Sequence, residues 1–214
     1  MNEVIPGILE KEWSEIEKKL ELAKSFATTV HIDIIDGKFA DNLTFLDPQP
    51  FKKYSGDLFL ELHMMVENPI DYLKPWAEAG FKRFIGHVEQ MKDQAEFVAL
   101  GQTLGEVGLA IDGPTQIEEI KVKLEDLDAI LVYTSNRVGF SGPKLNPQRL
   151  EKIKELRNKS DIPIEVDGGI NDKTIKPAFD AGATRFVATS YVLNAENPYE
   201  NFIKLNRLLG KNGS

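Results

Sequence analysis

The stretch TVHIDIID (residues 29–36) sets the pattern for the whole chain. It is short and rich in β-branched residues, which is typical of a buried β-strand. Seven further stretches share these properties. We therefore predict strands over residues 29–36, 4–9, 58–65, 83–89, 108–112, 129–134, 162–166 and 185–190.

Longer segments separate these strands, and their apolar residues recur at the spacing of amphipathic helices. Asn-Pro pairs that begin at Asn68, Asn146 and Asn197 mark the starts of three of them. Gly80 and Gly182 mark two helix ends. We predict a short, less regular segment over residues 47–54 and helices over residues 11–26, 68–79, 92–105, 115–124, 147–159, 172–181 and 197–209.

The strict alternation of strands and helices predicts parallel strands joined by helical crossovers. An open doubly wound sheet and a closed (β/α)8 barrel both satisfy that order. Eight predicted strands in 214 residues, with no break in composition, favour a single α/β domain with the (β/α)8 TIM-barrel fold. We predict one catalytic barrel domain over residues 1–210 and a flexible tail over residues 211–214.

The composition of the chain excludes several classes of function. The net charge of −8 argues against binding to nucleic acid and to an anionic membrane face. The chain has no cysteine, which excludes disulfides, thiolate catalysis and cysteine-bound zinc. No apolar stretch reaches the length of a membrane span, and the first residues lack the pattern of a signal peptide, so we expect a cytoplasmic protein.

Polar residues lie at the carboxyl ends of three predicted strands, which is where active sites of barrels are found. His31 and Asp33 are two residues apart and share a face of their strand. His63 and Asp167 end two other strands. Burying two carboxylates together without a cation would be costly, and this set of nitrogen and oxygen ligands suits Zn²⁺, Fe²⁺, Mn²⁺ or Co²⁺. The four residues therefore predict one divalent metal site.

Three neighbouring polar residues receive simpler interpretations. Glu61 lies one step deeper on the strand of His63, and we predict that it orients the His63 ring. Asp36 precedes a glycine and is interpreted as a turn residue. His87, the third histidine, is interpreted as a packed or hydrogen-bonded side chain.

Small residues occupy the loops that follow the sixth, seventh and eighth predicted strands. Barrels commonly bind phosphate in this region through backbone N–H groups. Arg137 in the first of these loops either adds positive charge there or is solvated. The predicted contacts to substrate and phosphate are Gly139, Phe140, Ser141, Gly142, Gly168, Gly169, Thr189 and Ser190.

Four segments together resemble the motifs of the ribulose-phosphate 3-epimerase family over nearly the whole chain. They are VHIDIIDGKFADNLTF (30–45), LELHMMVENPIDYLKPWAEAGFKRFIGHVE (60–89), IEVDGGIN (164–171) and GATRFVATSYVLNAENPYEN (182–201). The third matches the family signature EVDGGI directly. The resemblance implies a barrel isomerase of carbohydrate metabolism, in the pentose phosphate pathway or carbon fixation. It would invert C3 of D-ribulose 5-phosphate to give D-xylulose 5-phosphate.

The resemblance also implies roles for individual residues. His31, Asp33, His63 and Asp167 would be the ligands of the divalent metal. Asp33 and Asp167 would in addition be the two acid/base residues, and Met65 would belong to a hydrophobic cap near the metal. The implied partners are a small sugar phosphate and further copies of the chain in a homo-oligomer.

Several positions depart from the family motifs. Gly7 stands where the family usually has the serine of Pro-Ser-Ile-Leu, and Thr189 stands where it has the glycine of Gly-Ser. Ile35 replaces a methionine, and the loop after the sixth strand is one residue longer and lacks a glutamine. We therefore expect an intact catalytic centre with diverged substrate-holding loops.

Three alternative functions remain open at this point. The first is an epimerase of another ketose phosphate, such as allulose 6-phosphate, which shares the metal ligands. The second is a decarboxylase or aldolase of the keto-gulonate-phosphate or hexulose-phosphate type, although those enzymes keep a DxK-type segment where this chain has His31 and Asp33. The third is a sugar-phosphate-binding barrel with little catalysis.

Overall fold

Eight parallel strands close into a barrel, in the order β1 to β8, in the computed structural model, which describes residues 2–210. The predicted (β/α)8 fold is therefore confirmed. The strands are β1 (Glu3–Ile8), β2 (Thr29–Ile35), β3 (Phe59–Met65), β4 (Arg83–His87), β5 (Glu106–Ile111), β6 (Ala129–Tyr133), β7 (Ile164–Asp167) and β8 (Arg185–Ala188). The predicted tail over residues 211–214 lies outside the described residues.

Seven α-helices cover the outside of the barrel. They are α1 (Trp13–Ala23), α2 (Ile70–Glu78), α3 (Gln94–Gln102), α4 (Leu150–Lys159), α5 (Ile175–Asp180), α6 (Ser190–Leu193) and α7 (Pro198–Leu208). The less regular segment after β2 contains a 3₁₀ helix, Gln49–Tyr54. Within residues 2–210, no helix combines the length and the apolar character needed to cross a membrane.

One predicted helix is wrong. Residues 115–124 form two short 3₁₀ turns, Ile117–Glu119 and Leu124–Asp126, instead of an α-helix. The Gln94 side chain takes the place of helical hydrogen bonds there, because its amide donates to the Glu119 carbonyl and accepts from Lys121 N. This contact with α3 is between segments far apart in sequence, so the sequence pattern of residues 115–124 did not reveal it.

The helix boundaries follow most of the predicted signals. Asn146 and Asn197 accept hydrogen bonds from the backbone N–H groups of Gln148 and Glu200, as N-cap residues do. Asn68 is different: its backbone is left-handed, with φ of 54°, and its side chain donates to Asp71. Gly80 and Gly182 have φ of 96° and 112°, which confirms the predicted glycine ends of the preceding helices.

The register between β2 and β3 determines which side chains meet inside the barrel. His31 pairs with Glu61, and Asp33 pairs with His63. Alternate residues on each strand point inwards, so a charged layer lies below the site residues. That layer contains Glu61, Arg83, Glu165 and Arg185.

The apolar core lies mainly between the outer face of the barrel and its helices. Phe51, on the 3₁₀ helix after β2, is fully buried there and contacts Trp13, Trp76 and Phe81 at ring-centroid distances of 5.0, 5.5 and 5.3 Å. These contacts attach the long segment between β2 and β3 to the barrel and so hold the loop above the site residues.

We expect Phe51→Ala to lower the free energy of unfolding by about 3–5 kcal/mol, because it removes a large ring from a close-packed cluster and leaves a cavity. Urea unfolding followed by circular dichroism measures this. The matched control is Leu43→Ala, since Leu43 is 54% exposed and its loss should change stability by less than about 1 kcal/mol. Equal effects of the two substitutions would contradict this account of the segment.

Candidate metal centre and substrate cavity

The four predicted metal ligands meet at the carboxyl end of the barrel. His31 and Asp33 come from β2, His63 from β3 and Asp167 from the end of β7. All four are buried, and one ligand atom from each lies within 4.8 Å of those of the others. His63 Nδ1 is 2.8 Å from Asp33 Oδ1 and 3.5 Å from Asp167 Oδ2, and His31 Nε2 is 3.2 Å from Asp33 Oδ1.

The electrostatics of this cluster favour a cation. Burial opposes ionisation of Asp33, but the neighbouring His31 and His63 rings lower the pKa of Asp33 to about 2. Conversely, although burial opposes protonation, the Asp33 carboxylate raises the pKa of His31 well above its usual value. Two buried imidazoles and two carboxylates form a donor set that zinc, iron, manganese and cobalt ions accept, so the residues present fit a divalent metal.

Glu61 orients His31 and not His63, so that prediction was wrong. Glu61 Oε1 lies 2.6 Å from His31 Nδ1. The reason is geometric: residues two apart along one strand are separated by almost 7 Å, whereas residues paired across neighbouring strands are only about 5 Å apart. The register pairs Glu61 with His31, and an ionised carboxylate there requires a proton on His31 Nδ1. His31 Nε2 faces Asp33 at 3.2 Å and, with the raised pKa of His31, carries a proton towards that carboxylate which a bound metal would displace.

His87 performs the orienting role for His63, which the sequence analysis did not recognise. His87 is fully buried, its Nε2 lies 3.0 Å from His63 Nε2, and its Nδ1 lies 3.0 Å from Glu89 Oε2. Burial lowers the pKa of His87, so the ring is neutral. The signal in the sequence was the His-x-Glu spacing at the end of the fourth predicted strand.

The proton positions along the hydrogen-bonded series His63–His87–Glu89 follow from Glu89, the acceptor at its end. Burial opposes ionisation of Glu89, but the hydrogen bond with His87 lowers its pKa to about 2, so the carboxylate only accepts. His87 Nδ1 therefore donates to Glu89, and the lone pair of His87 Nε2 accepts from His63 Nε2. His63 Nδ1 is then the nitrogen that faces the two aspartates. Although burial opposes protonation, these carboxylates raise the pKa of His63, so without a metal Nδ1 carries a proton that a bound metal would displace.

A second close group of acidic side chains lies one layer deeper and is neutralised by the protein itself. His31, Glu61 and Glu165 approach one another there. Arg83 Nη1 donates to Glu61, while burial and the Glu61 charge raise the pKa of Glu165 to about 7. Because an arginine and a proton already balance this layer, the upper group is the one whose charge a cation would balance.

A narrow cavity opens beside the four candidate metal ligands. It brings together Asp33, Asp167, the cap residue Met65 and seven of the eight predicted substrate contacts, namely Phe140, Ser141, Gly142, Gly168, Gly169, Thr189 and Ser190. Leu9, Tyr133, Ile170 and Val187 also line it, and sequence reasoning did not single them out. Met65 packs with Ile35 and Ala40, which makes the wall above the centre apolar.

Gly139 does not line this cavity. Its carbonyl accepts a hydrogen bond from Asn42 Nδ2, and a Cβ atom at this position would lie 2.7 Å from Ala40 Cβ. The residue therefore serves the packing of the loop after β6 against the loop after β2. Arg137 stacks on Phe140, with its guanidinium carbon 3.5 Å from the ring centroid, so it supports a cavity wall.

The loop after β7 needs both of its glycines. Gly168 and Gly169 have φ of 109° and 78°, and Cβ atoms there would lie 2.7 Å from Ser135 N and 2.1 Å from Leu145 N. Thr134 Oγ1 donates to the Gly168 carbonyl over 2.7 Å and so fixes the loop. The close approach brings the loops after β6 and β7 to the same side of the cavity.

Comparison with known proteins agrees with this site. A sequence model of the Ribulose-phosphate 3 epimerase family matches residues 3–193. The cytoplasmic isoform of ribulose-phosphate 3-epimerase from Oryza sativa subsp. japonica is 33% identical over 92% of this chain and 90% of its own. The enzyme of Chlamydia pneumoniae is 37% identical over 84% of this chain and 81% of its own.

The chain belongs to the ribulose-phosphate 3-epimerase family. It is accordingly an isomerase that acts on a sugar phosphate. Among solved structures, the 3-keto-L-gulonate-6-phosphate decarboxylase of Vibrio cholerae has a TM-score of 0.74 at 14% identity, over 98% of this chain and 97% of that one. At this identity the likeness shows the barrel fold alone, whereas family membership favours epimerisation over the decarboxylase alternative.

We expect His87→Leu to weaken metal binding by this epimerase about 10- to 100-fold, because the buried His63 N–H loses the acceptor that fixes its ring. Titration of metal-free protein with Zn²⁺ or Mn²⁺ by calorimetry measures the dissociation constant. The matched variant is His87→Gln, whose side-chain oxygen can still accept, and which should bind metal more tightly than His87→Leu. Wild-type affinity in the leucine variant would remove His87 from the metal centre.

Proposed function

We propose that the enzyme interconverts D-ribulose 5-phosphate and D-xylulose 5-phosphate, with Asp33 and Asp167 as its two proton carriers. One observation carries this proposal: two carboxylates from different strands converge on one cavity that they share with two histidine ligands. Structural roles do not require such a group, since buried carboxylates are costly unless a charge balances them.

The chemistry of the substrate explains why two carboxylates are needed. The C3 proton lies next to the C2 carbonyl, so its removal leaves an enediolate. Inversion then requires a base on one face of C3 and an acid on the other, each within hydrogen-bond reach. Asp33 and Asp167 stand on β2 and β7, which β1 and β8 separate around the barrel, so the two side chains reach the cavity from different sides.

We propose that His31, Asp33, His63 and Asp167 hold one Zn²⁺, Fe²⁺, Mn²⁺ or Co²⁺ ion. The bound metal would supply a Lewis acid that stabilises the negative charge developing on the substrate oxygens. The protein holds the two imidazole rings in the required tautomers through Glu61 and His87.

We assign the exclusion of water to one wall of the cavity and the binding of the phosphate to the other. The buried cap of Met65, Ile35 and Ala40 limits the access of water above the reacting carbon. On the other side, backbone N–H groups and hydroxyls of the three loops would receive the phosphate. The residues proposed for it are Phe140, Ser141, Gly142, Gly168, Gly169, Thr189 and Ser190.

Deuterium incorporation at C3 of D-ribulose 5-phosphate in D₂O, followed by NMR on the metal-loaded enzyme, tests the proposal. Exchange accompanied by D-xylulose 5-phosphate supports it. The same assay with allulose 6-phosphate compares the alternative ketose phosphate, since the diverged loops affect the substrate and not the proton transfer. Absence of exchange with both substrates would favour the sugar-phosphate-binding alternative.

We expect Asp33→Asn and Asp167→Asn each to lower turnover about 10²- to 10⁴-fold, because asparagine keeps the side-chain shape but can neither accept nor donate the C3 proton. Each variant should retain C3 exchange from one epimer only, and the two variants should retain opposite epimers. Isotope exchange started from each pure epimer measures this, with metal content determined in parallel.

The matched control is Asp36→Asn. Asp36 is a carboxylate at the turn after β2 that accepts from Lys38 N and Glu67 N, as the sequence analysis predicted for a turn residue. Its substitution should leave turnover within about threefold of wild type. Equal loss of exchange from both epimers in either catalytic variant would contradict the two-base proposal.

We expect a chelator to abolish epimerase activity and one equivalent of divalent metal to restore it. Because the metal would bind the folded state alone, free metal at about 100 times its dissociation constant should stabilise the fold by about 2.7 kcal/mol. Activity and thermal unfolding, each measured before and after verified metal removal, provide two independent readings. Full activity in protein shown to be metal-free would refute the metal's role.

We further propose that the enzyme forms a homo-oligomer, as its resemblance to the family implies. Light scattering coupled to size-exclusion chromatography determines the mass in solution. A mass of 24.0 kDa at all concentrations would contradict it.

A further inference from the structure

Gly7 and Thr189 lie side by side at the mouth of the barrel, and the side chain of Thr189 fills the space of a side chain at position 7. Gly7 lies near the end of β1, and Thr189 directly follows β8, the neighbouring strand. A Cβ atom at position 7 would lie 2.4 Å from Thr189 Oγ1 and 3.4 Å from Thr189 Cβ. Because a contact of 2.4 Å is far shorter than a van der Waals contact, a side chain at position 7 would displace the Thr189 hydroxyl, so the observed Thr189 rotamer depends on glycine there.

The environment of the Thr189 hydroxyl points to a ligand. Thr189 is half-buried and lines the cavity together with Asp33, Asp167 and Met65. Its backbone is fixed, since its carbonyl accepts from Leu193 N over 3.0 Å. Across residues 2–210, the hydrogen bonds of the side chains include none with Thr189 Oγ1. The hydroxyl therefore keeps its hydrogen-bonding capacity for a molecule in the cavity.

The position of this hydroxyl relative to the metal centre follows from the strand register. Gly7 pairs with His31 on β2, and Pro6 pairs with Ala188 on β8. Thr189 thus lies beside β1 at the level of the first metal ligand, between the metal centre and the loop glycines after β7. A β-branched side chain has few allowed rotamers, so its hydroxyl is held in one direction.

We propose that Thr189 is a substrate-contacting, specificity-determining residue, whose hydroxyl hydrogen-bonds an oxygen of the bound sugar phosphate and whose place depends on Gly7. This inference rests on the proposed function, since it requires a ketose phosphate in the cavity. Positions 7 and 189 are also among the positions at which the chain departs from the family motifs, with a side chain lost at one and gained at the other. The Thr189 hydroxyl, at the end of β8, has room because Gly7 on β1 has no side chain.

Thr189→Val and Thr189→Ser test the hydroxyl. Valine keeps the shape of threonine and loses the hydroxyl, so KM for D-ribulose 5-phosphate should rise about 3- to 10-fold while kcat changes by less than about twofold. Serine keeps the hydroxyl and should stay within about twofold of wild type in both constants. The control is Thr28→Val, an exposed threonine at the opposite end of the barrel, which should change neither constant.

A double-mutant cycle tests the dependence on Gly7. In the wild-type background, Gly7→Ser should lower kcat/KM about tenfold or more, because the new side chain meets Thr189 Oγ1. In the Thr189→Gly background, the same substitution should cost less than about threefold. Val187 Cγ1 would lie 2.8 Å from the new Cβ in both backgrounds, so the difference between them isolates the pair.

The outcomes separate this inference from the proposed function. Wild-type epimerase activity is measured first and decides the proposed function alone. An active wild type with a Thr189→Val variant of unchanged KM, or with additive effects in the cycle, overturns the role of Thr189 and leaves the epimerase assignment in place. Thermal unfolding of every variant shows whether a lost activity reflects a lost fold, and a KM increase in folded Thr189→Val supports the inference.

Discussion

The parallel register between β2 and β3 is the constraint on which the site depends. It pairs His31 with Glu61 and Asp33 with His63, so each histidine lies directly across from a carboxylate. A shift of β3 by one residue would turn Glu61 and His63 to the outer face of the barrel, into the apolar layer under the helices. The candidate metal centre and the fold are therefore specified by the same backbone hydrogen bonds.

Charge balance divides the inside of the barrel into two layers. In the lower layer, Arg83 donates to Glu61 and Glu165 has a raised pKa, so the protein neutralises itself. In the upper layer, two aspartates face two histidines. Glu61 of the lower layer also contacts His31 Nδ1 and so fixes the His31 ring. His87, which contacts Glu89, fixes the His63 ring in the same way. The two histidine rings are thus oriented by side chains of two neighbouring strands, β3 and β4.

The walls of the cavity show how a barrel changes its substrate contacts without changing its centre. The strand ends hold the metal ligands rigidly, whereas the residues just beyond them, such as Thr189, belong to short connections. A side chain can pass from one strand end to its neighbour when the adjacent residue is glycine, as with Gly7.

The sequence by itself determined the order of elements, the barrel and the identity of the four ligand candidates. These depend on local signals: continuous apolar runs, helical spacing and polar residues at strand ends, which the chain carries residue by residue. The failed helix over residues 115–124 and the misassigned partner of Glu61 depend on contacts between segments far apart in sequence. The role of His87 and the dependence of Thr189 on Gly7 also appear only when strands are placed side by side. Spacing along one strand does not reveal the neighbour across the sheet, because that neighbour is set by register and barrel closure, and these only the tertiary structure decided.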